Sequence, residues 1–147
     1  MKNKIGDRIN AALLFVVVVL SGCTTAPPDI SVSDTVAVRS PIMRGVASVF
    51  MRIENKGGKD HLIGASTNIA GSIVELHDIK DGKMIKVKSI KIPSKSKVEL
   101  IPKGPHIMIF NLPDEPIHSP SSVKDGFEFT INLKFEKSGQ KAVKLKL

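Results

Sequence analysis

Residues 127–135 alternate Phe127, Phe129, Ile131, Leu133 and Phe135 with Glu128, Thr130, Asn132 and Lys134. A strict period of two is the pattern of an extended strand with one packed face and one wet face, and it cannot form the apolar stripe of a helix. Val143, Leu145 and Leu147 repeat it against Lys144 and Lys146. Such strands must bury their apolar face against a second layer, so the chain is directed towards a sheet-on-sheet fold. From Ile30 onward the other apolar residues also recur at every second position, with no helix-period segment. Strands are expected at 30–39, 46–54, 62–67, 72–79, 83–92, 97–101, 106–111, 127–136 and 141–147. The turns between them fall at Lys56-Gly57-Gly58-Lys59, Asp81-Gly82, Pro93-Ser94, Lys103-Gly104-Pro105, the long 113–126 loop and Ser138-Gly139. About nine short strands fit an all-β sandwich with Greek-key connections.

The first 22 residues fall outside this pattern. Lys2, Lys4 and Arg8 precede an unbroken apolar run, Ala11 to Leu20, which is too short for a bilayer span of about 20 residues. The run leads into Leu20-Ser21-Gly22-Cys23, which resembles the lipobox of bacterial lipoproteins. The expected organisation is a lipoprotein signal peptide at 1–22, a lipidated tether at 23–29 beginning with Cys23, and one domain at 30–147. Lipidation would consume the only cysteine of the chain, which leaves no thiol for a disulfide or a metal. The expected location is extracytoplasmic, in the periplasm and held to the membrane by the lipid. Thr24 in place of an aspartate favours the outer membrane in a Gram-negative cell. Beyond the signal the chain keeps 19 Lys and Arg against 13 Asp and Glu. Nucleic acid is not the expected partner: the lysines alternate with apolar residues, the chain has no Trp or Tyr for base stacking, and export removes the ligand. A basic surface near anionic lipid is the simpler reading.

The residues with chemistry lie between His77 and Met108. Asp81-Gly82 is a preferred loop for a two-residue type I′ hairpin, which pairs Lys80 with Lys83, Ile79 with Met84, Asp78 with Ile85, His77 with Lys86, Leu76 with Val87 and Glu75 with Lys88. Val74, Leu76, Ile85 and Val87 then face the core, while His77, Glu75, Met84, Lys86 and Lys88 face outward, with Glu75 opposite Lys88 as an ion pair. His77 and Met84 are diagonal neighbours on that outer face. In His106-Ile107-Met108 the imidazole and the thioether share one side of a strand, about 6 to 7 Å apart. Met43 and Met51, among apolar neighbours, read as core filler. Two imidazoles and two thioethers suit a soft ion such as Cu(I) better than zinc, calcium or magnesium, and without a cysteine they do not make a blue-copper centre. On spacing alone, a soft-metal site and a surface coincidence both remain open.

The order of these residues resembles the PCu(A)C family of extracytoplasmic copper chaperones, whose members carry His, about ten residues, Met, about 21 residues and His-x-Met. Here 21 residues separate Met84 from His106, and His106-Ile107-Met108 completes the motif. Val49 to Asn55, Asp60-His61-Leu62, Val74 to His77, Ile92-Pro93, Val98 to Leu100 and Leu133 to Gly139 carry the resemblance across 30–147. Two departures stand out. Only six residues separate His77 from Met84, and Ile79 occupies a position where members often have a further Met. The resemblance implies a cupredoxin-like sandwich, and the chain is expected to be a monomer and not an enzyme. It implies that His77, Met84, His106 and Met108 bind Cu(I) and pass it to an acceptor, such as a respiratory oxidase subunit or another copper chaperone. His118, in the long loop, is a spare imidazole for an auxiliary Cu(II) site, and His61 reads as a surface turn residue. The alternatives are a metal-free interaction module on the same sandwich and, more distantly, an enzyme, for which the chain offers no activated nucleophile, carboxylate pair or phosphate loop.

Overall fold

The computed structural model describes residues 26–113 and 127–147. Its ten strands are β1 (Ile30–Arg39), β2 (Ala47–Asn55), β3 (Asp60–Thr67), β4 (Ile73–Lys80), β5 (Lys83–Lys86), β6 (Ile90–Ile92), β7 (Ser96–Leu100), β8 (His106–Phe110), β9 (Glu128–Phe135) and β10 (Gly139–Lys146). They form two antiparallel sheets, one ordered β1-β2-β8-β4-β5 with β7 also paired to β2, the other β10-β9-β3-β6. The fold is the all-β sandwich that the alternation requires.

Phe129, Ile131, Leu133 and Phe135 of β9 lie in the core with Ile53, Ile107, Ile109 and Leu62. Phe127, at the start of the alternating run, is exposed and precedes the strand. Met51 is buried as expected, whereas Met43 lies exposed between β1 and β2. The single strand expected at 83–92 is two strands: β5 pairs with β4, and β6 crosses to pair with β3 in the other sheet. The cause is a change of phase. Ile85 and Val87 occupy odd positions and Ile90 and Ile92 even ones, so one straight strand could not turn all four inward.

Asn55, buried at the end of β2, organises the entry of the chain. Its Oδ1 accepts from the backbone N–H groups of Asp29 and Gly57, and its Nδ2 donates to the carbonyls of Gly58 and Pro93. The Lys56 and Gly58 N–H groups donate to the carbonyls of Asp29 and Pro27. The end of the expected tether is thus held against the domain. A Cβ on Gly58 would collide with the Ala26 carbonyl oxygen, which is backbone and cannot step aside cheaply. Gly58→Ala should therefore detach this segment, costing about 1–2 kcal/mol in urea denaturation and exposing residues 26–29 to proteolysis.

Asp60, also fully buried, ties β3 to the β9–β10 turn. Its carboxylate accepts from the N–H groups of His61, Lys137 and Ser138 and from Ser138 Oγ.

Candidate metal centre

The centre lies on the outer face of the six-stranded sheet. Pairing places His77 of β4 directly opposite His106 of β8, and Glu75 opposite Met108. Met108 in turn stands opposite Ser48 of β2. Ile107 and Ile109 point the other way into the core. Alternation therefore sends both imidazoles and the Met108 thioether to one face.

The hairpin has the expected register from Lys80↔Lys83 to His77↔Lys86, and positive φ at Asp81 and Gly82 (52° and 73°) is that of the type I′ turn. Val87 continues the pairing by donating to the Leu76 carbonyl. Two expectations change. Ile85 is exposed rather than core, because β5 is a four-residue edge strand with every side chain in solvent. Glu75 pairs with Lys86 at 2.6 Å, and not with Lys88, because the chain leaves the sheet after Val87 and Lys86 lies diagonally across from Glu75.

The outer face proves far from wet at its centre. His106 is 1% exposed and Met108 3%, while the His77 side chain is 12% exposed. The His77 and His106 ring centroids are 5.9 Å apart, with Phe50 at 6.2 Å from His106 and Phe110 at 6.1 Å from His77. These two phenylalanines make the apolar walls that limit water.

Hydrogen bonds decide which nitrogen of each ring is the donor. His106 Nδ1 lies 2.8 Å from the Gly104 carbonyl oxygen, which only accepts, so Nδ1–H is the donor and, in the neutral ring, the lone pair is on Nε2. His77 Nε2 lies 3.0 Å from Glu75 Oε2. Glu75 is ionised: its pKa is lowered, first by the hydrogen bond from Lys86, then by that from His77, against the opposing effect of burial. His77 Nε2 is therefore the donor, and Nδ1 is left with a lone pair. That Nδ1 is buried and has no hydrogen-bond partner. An orphaned buried nitrogen ordinarily costs about 1–3 kcal/mol. A carboxylate holding one ring nitrogen while the other is left bare is the usual arrangement around a metal-binding histidine. Ser48 Oγ donates to Met108 Sδ at 3.1 Å and fixes that thioether.

Met84 is set apart. It stands opposite Ile79 on β5, on the same face and diagonal to His77, but 49% exposed. Met108 and Met84 occupy opposite corners around the histidine pair, about 16 Å apart at the backbone from strand spacing and rise. The structure thus groups His77, His106 and Met108, and leaves Met84 on the edge hairpin. Among the described residues no three His, Cys, Asp or Glu side chains are placed together to hold a metal. His61 lies in β3, not a turn, and its Nδ1 pairs with Glu136 at 2.9 Å. Cys23 and His118 lie outside the described residues.

Glu75 lies on the expected face but with a different partner, and Ser48, Phe50 and Phe110 join the centre without belonging to the His and Met pattern. The available signal for Ser48 and Phe50 was their alternation with the buried Val49.

A family model described as "Putative lipoprotein LpqE-like" matches residues 30–147. No curated protein matches the chain. Among solved structures, "Copper-bound PCuAC domain from PmoF2" is similar with a TM-score of 0.61 and 22% identity, covering 83% of this chain and 94% of that one. "Apo PCuAC domain from PmoF1" gives a TM-score of 0.64 at 21% identity, covering 82% and 94%. "apo PmoF2 PCuAC domain" gives 0.60 at 22%, covering 84% and 92%. At these identities the likeness establishes the fold, a cupredoxin-like sandwich.

Proposed function

The chain belongs to the LpqE-like family, and from the donor set on its six-stranded sheet we propose that it is a lipid-anchored, extracytoplasmic copper chaperone whose cargo is Cu(I). The observation that carries the reading is the buried, unpartnered Nδ1 of His77 beside the His106 ring. Copper is suggested by the softness of the donors and by the description of one structural neighbour as copper-bound. Support for the anchor comes from the Leu20-Ser21-Gly22-Cys23 sequence and the lipoprotein description of the family.

In this reading His77 presents Nδ1, His106 presents Nε2 and Met108 its sulfur from fixed positions, and Met84 joins from the hairpin. Each of these three is held by a hydrogen bond: His77 to Glu75, His106 to Gly104 and Met108 from Ser48. The fourth sits on an edge strand paired only to β4 among the described residues, where an incoming sulfur or imidazole of an acceptor can replace it. That acceptor is proposed to be an oxidase subunit or another copper chaperone. No chemical step beyond ligand exchange is needed, so the chain works as a carrier rather than an enzyme. It is anchored through Cys23, in the outer membrane where the cell has one.

Titrating the full chain with Cu(I) against a chromophoric chelator should give one copper per chain, and no uptake would contradict the reading. Met84's distance from Met108 is the observation that favours a metal-free interaction module, which that titration also decides. Glu75→Gln removes the charge that holds His77 Nε2–H and should weaken Cu(I) about tenfold in the same competition.

A further inference from the structure

One end of the sandwich gathers exposed lysines. Lys56 and Lys59, both exposed, flank Gly57-Gly58 where residues 26–29 are held. The exposed Lys95 is bonded through its N–H to the Gly57 carbonyl at 3.2 Å. The exposed Lys137 sits beside Lys59, its N–H bonded to Asp60 at 2.9 Å. Lys56, Lys95 and Lys97 also border an open hollow of about 280 Å³ together with Glu54, Asn55 and Ser96. Of the acids at this end, Glu54 pairs with Lys97, Glu136 with His61, and Asp60 accepts from backbone donors inside the fold, while Asp29 and Asp81 are exposed.

The same end receives the chain from Cys23. Three Cα steps separate Cys23 from Ala26, a reach of at most about 11 Å. That is close to one Debye length at physiological salt, about 8 Å. Because residues 27–29 are hydrogen-bonded to the β2–β3 turn, the domain cannot swing out on a long leash. We propose that this lysine-ringed end lies against anionic phospholipid headgroups. The inference rests on acylation of Cys23 and is independent of the copper reading. Lipid anchor and lysines then act together, as a single acyl chain and a basic patch do in other anchored proteins. His106 is level with Phe50, five residues from Asn55 along β2, so the metal centre would stand about 17 Å from this end and open sideways, along the membrane.

The test uses the full chain purified from membranes and reconstituted into vesicles rich in phosphatidylglycerol or made of phosphatidylcholine alone. Limited lysine acylation is read by mass spectrometry, with Lys144 on β10 as the internal reference. Modification of Lys56, Lys59, Lys95 and Lys137 relative to Lys144 should fall about fivefold on the anionic vesicles and recover in concentrated salt. Equal labelling on both vesicles by a chain that floats with them would overturn the orientation and leave the anchor standing. A chain that fails to float would overturn both. Equal protection by inorganic phosphate alone would assign the lysines to a soluble anion and overturn the membrane surface.

Discussion

Replacing His106 with alanine should weaken Cu(I) binding by more than about 100-fold. Loss of an outer-shell partner alone costs about 10–100-fold, and His106 supplies a ligand atom. It is also the most buried member of the group, so its removal opens the centre as well as emptying one position. The fold must be checked beside the affinity, and His77→Leu provides the cleaner comparison. It removes an unpartnered buried nitrogen and leaves Glu75 paired with Lys86. The expected result is a melting temperature equal to or above that of the parent chain together with the same loss of copper. A stability gain at a position whose loss ends binding is the signature of a site that stores cost for function. Met108→Leu conserves volume and should cost affinity with little change in stability. Met84→Leu, on the exposed edge, should cost the least.

The largest effect on stability is expected at Asp60. Asp60→Asn replaces an acceptor of four hydrogen bonds by a group half of which is a donor facing donors, at a cost of about 3 kcal/mol. Burial works against ionisation of Asp60, yet the hydrogen bonds from the Ser138 hydroxyl and from the His61, Lys137 and Ser138 N–H groups outweigh it, and the pKa lies below its ordinary 3.8. The sign follows from proton counting. The unfolded chain takes up the proton first as pH falls, so the stabilisation is complete above 3.8 and is lost on further acidification through the folded value. Urea denaturation should show a large gap between parent and variant at neutral pH, narrowing in acid below that point. A gap independent of pH would contradict the role assigned to the carboxylate.

Much of this architecture is legible in the residues themselves. Period-two alternation gives β9 and β10, and Asp81-Gly82 gives the hairpin with its register, because side-chain direction in a strand is a matter of parity. The split between β5 and β6 was legible too, in the phase change between Val87 and Ile90. It is easily overlooked because the polar residues across it are all lysines and serine, with neither glycine nor proline to mark a break. What parity cannot show is burial. His106 and Met108 were correctly sent to the outer face, but their enclosure by neighbouring side chains depends on β2 and β4 converging on β8. The tautomers are further from the sequence still, since they rest on the Gly104 carbonyl and on Glu75. The Asp60 lock is hidden for a different reason: its donors Lys137 and Ser138 lie 77 and 78 residues away along the chain.

The proposed nitrogen and sulfur site for Cu(I) lies between β4 and β8. X-ray absorption at the copper edge, on the full chain loaded with one equivalent of Cu(I), tests it most directly. The expected spectrum is a Cu(I) edge with both nitrogen and sulfur neighbours, and the sulfur contribution should fall on Met108→Leu. A first shell of nitrogen and oxygen alone, unchanged by that substitution, would contradict it.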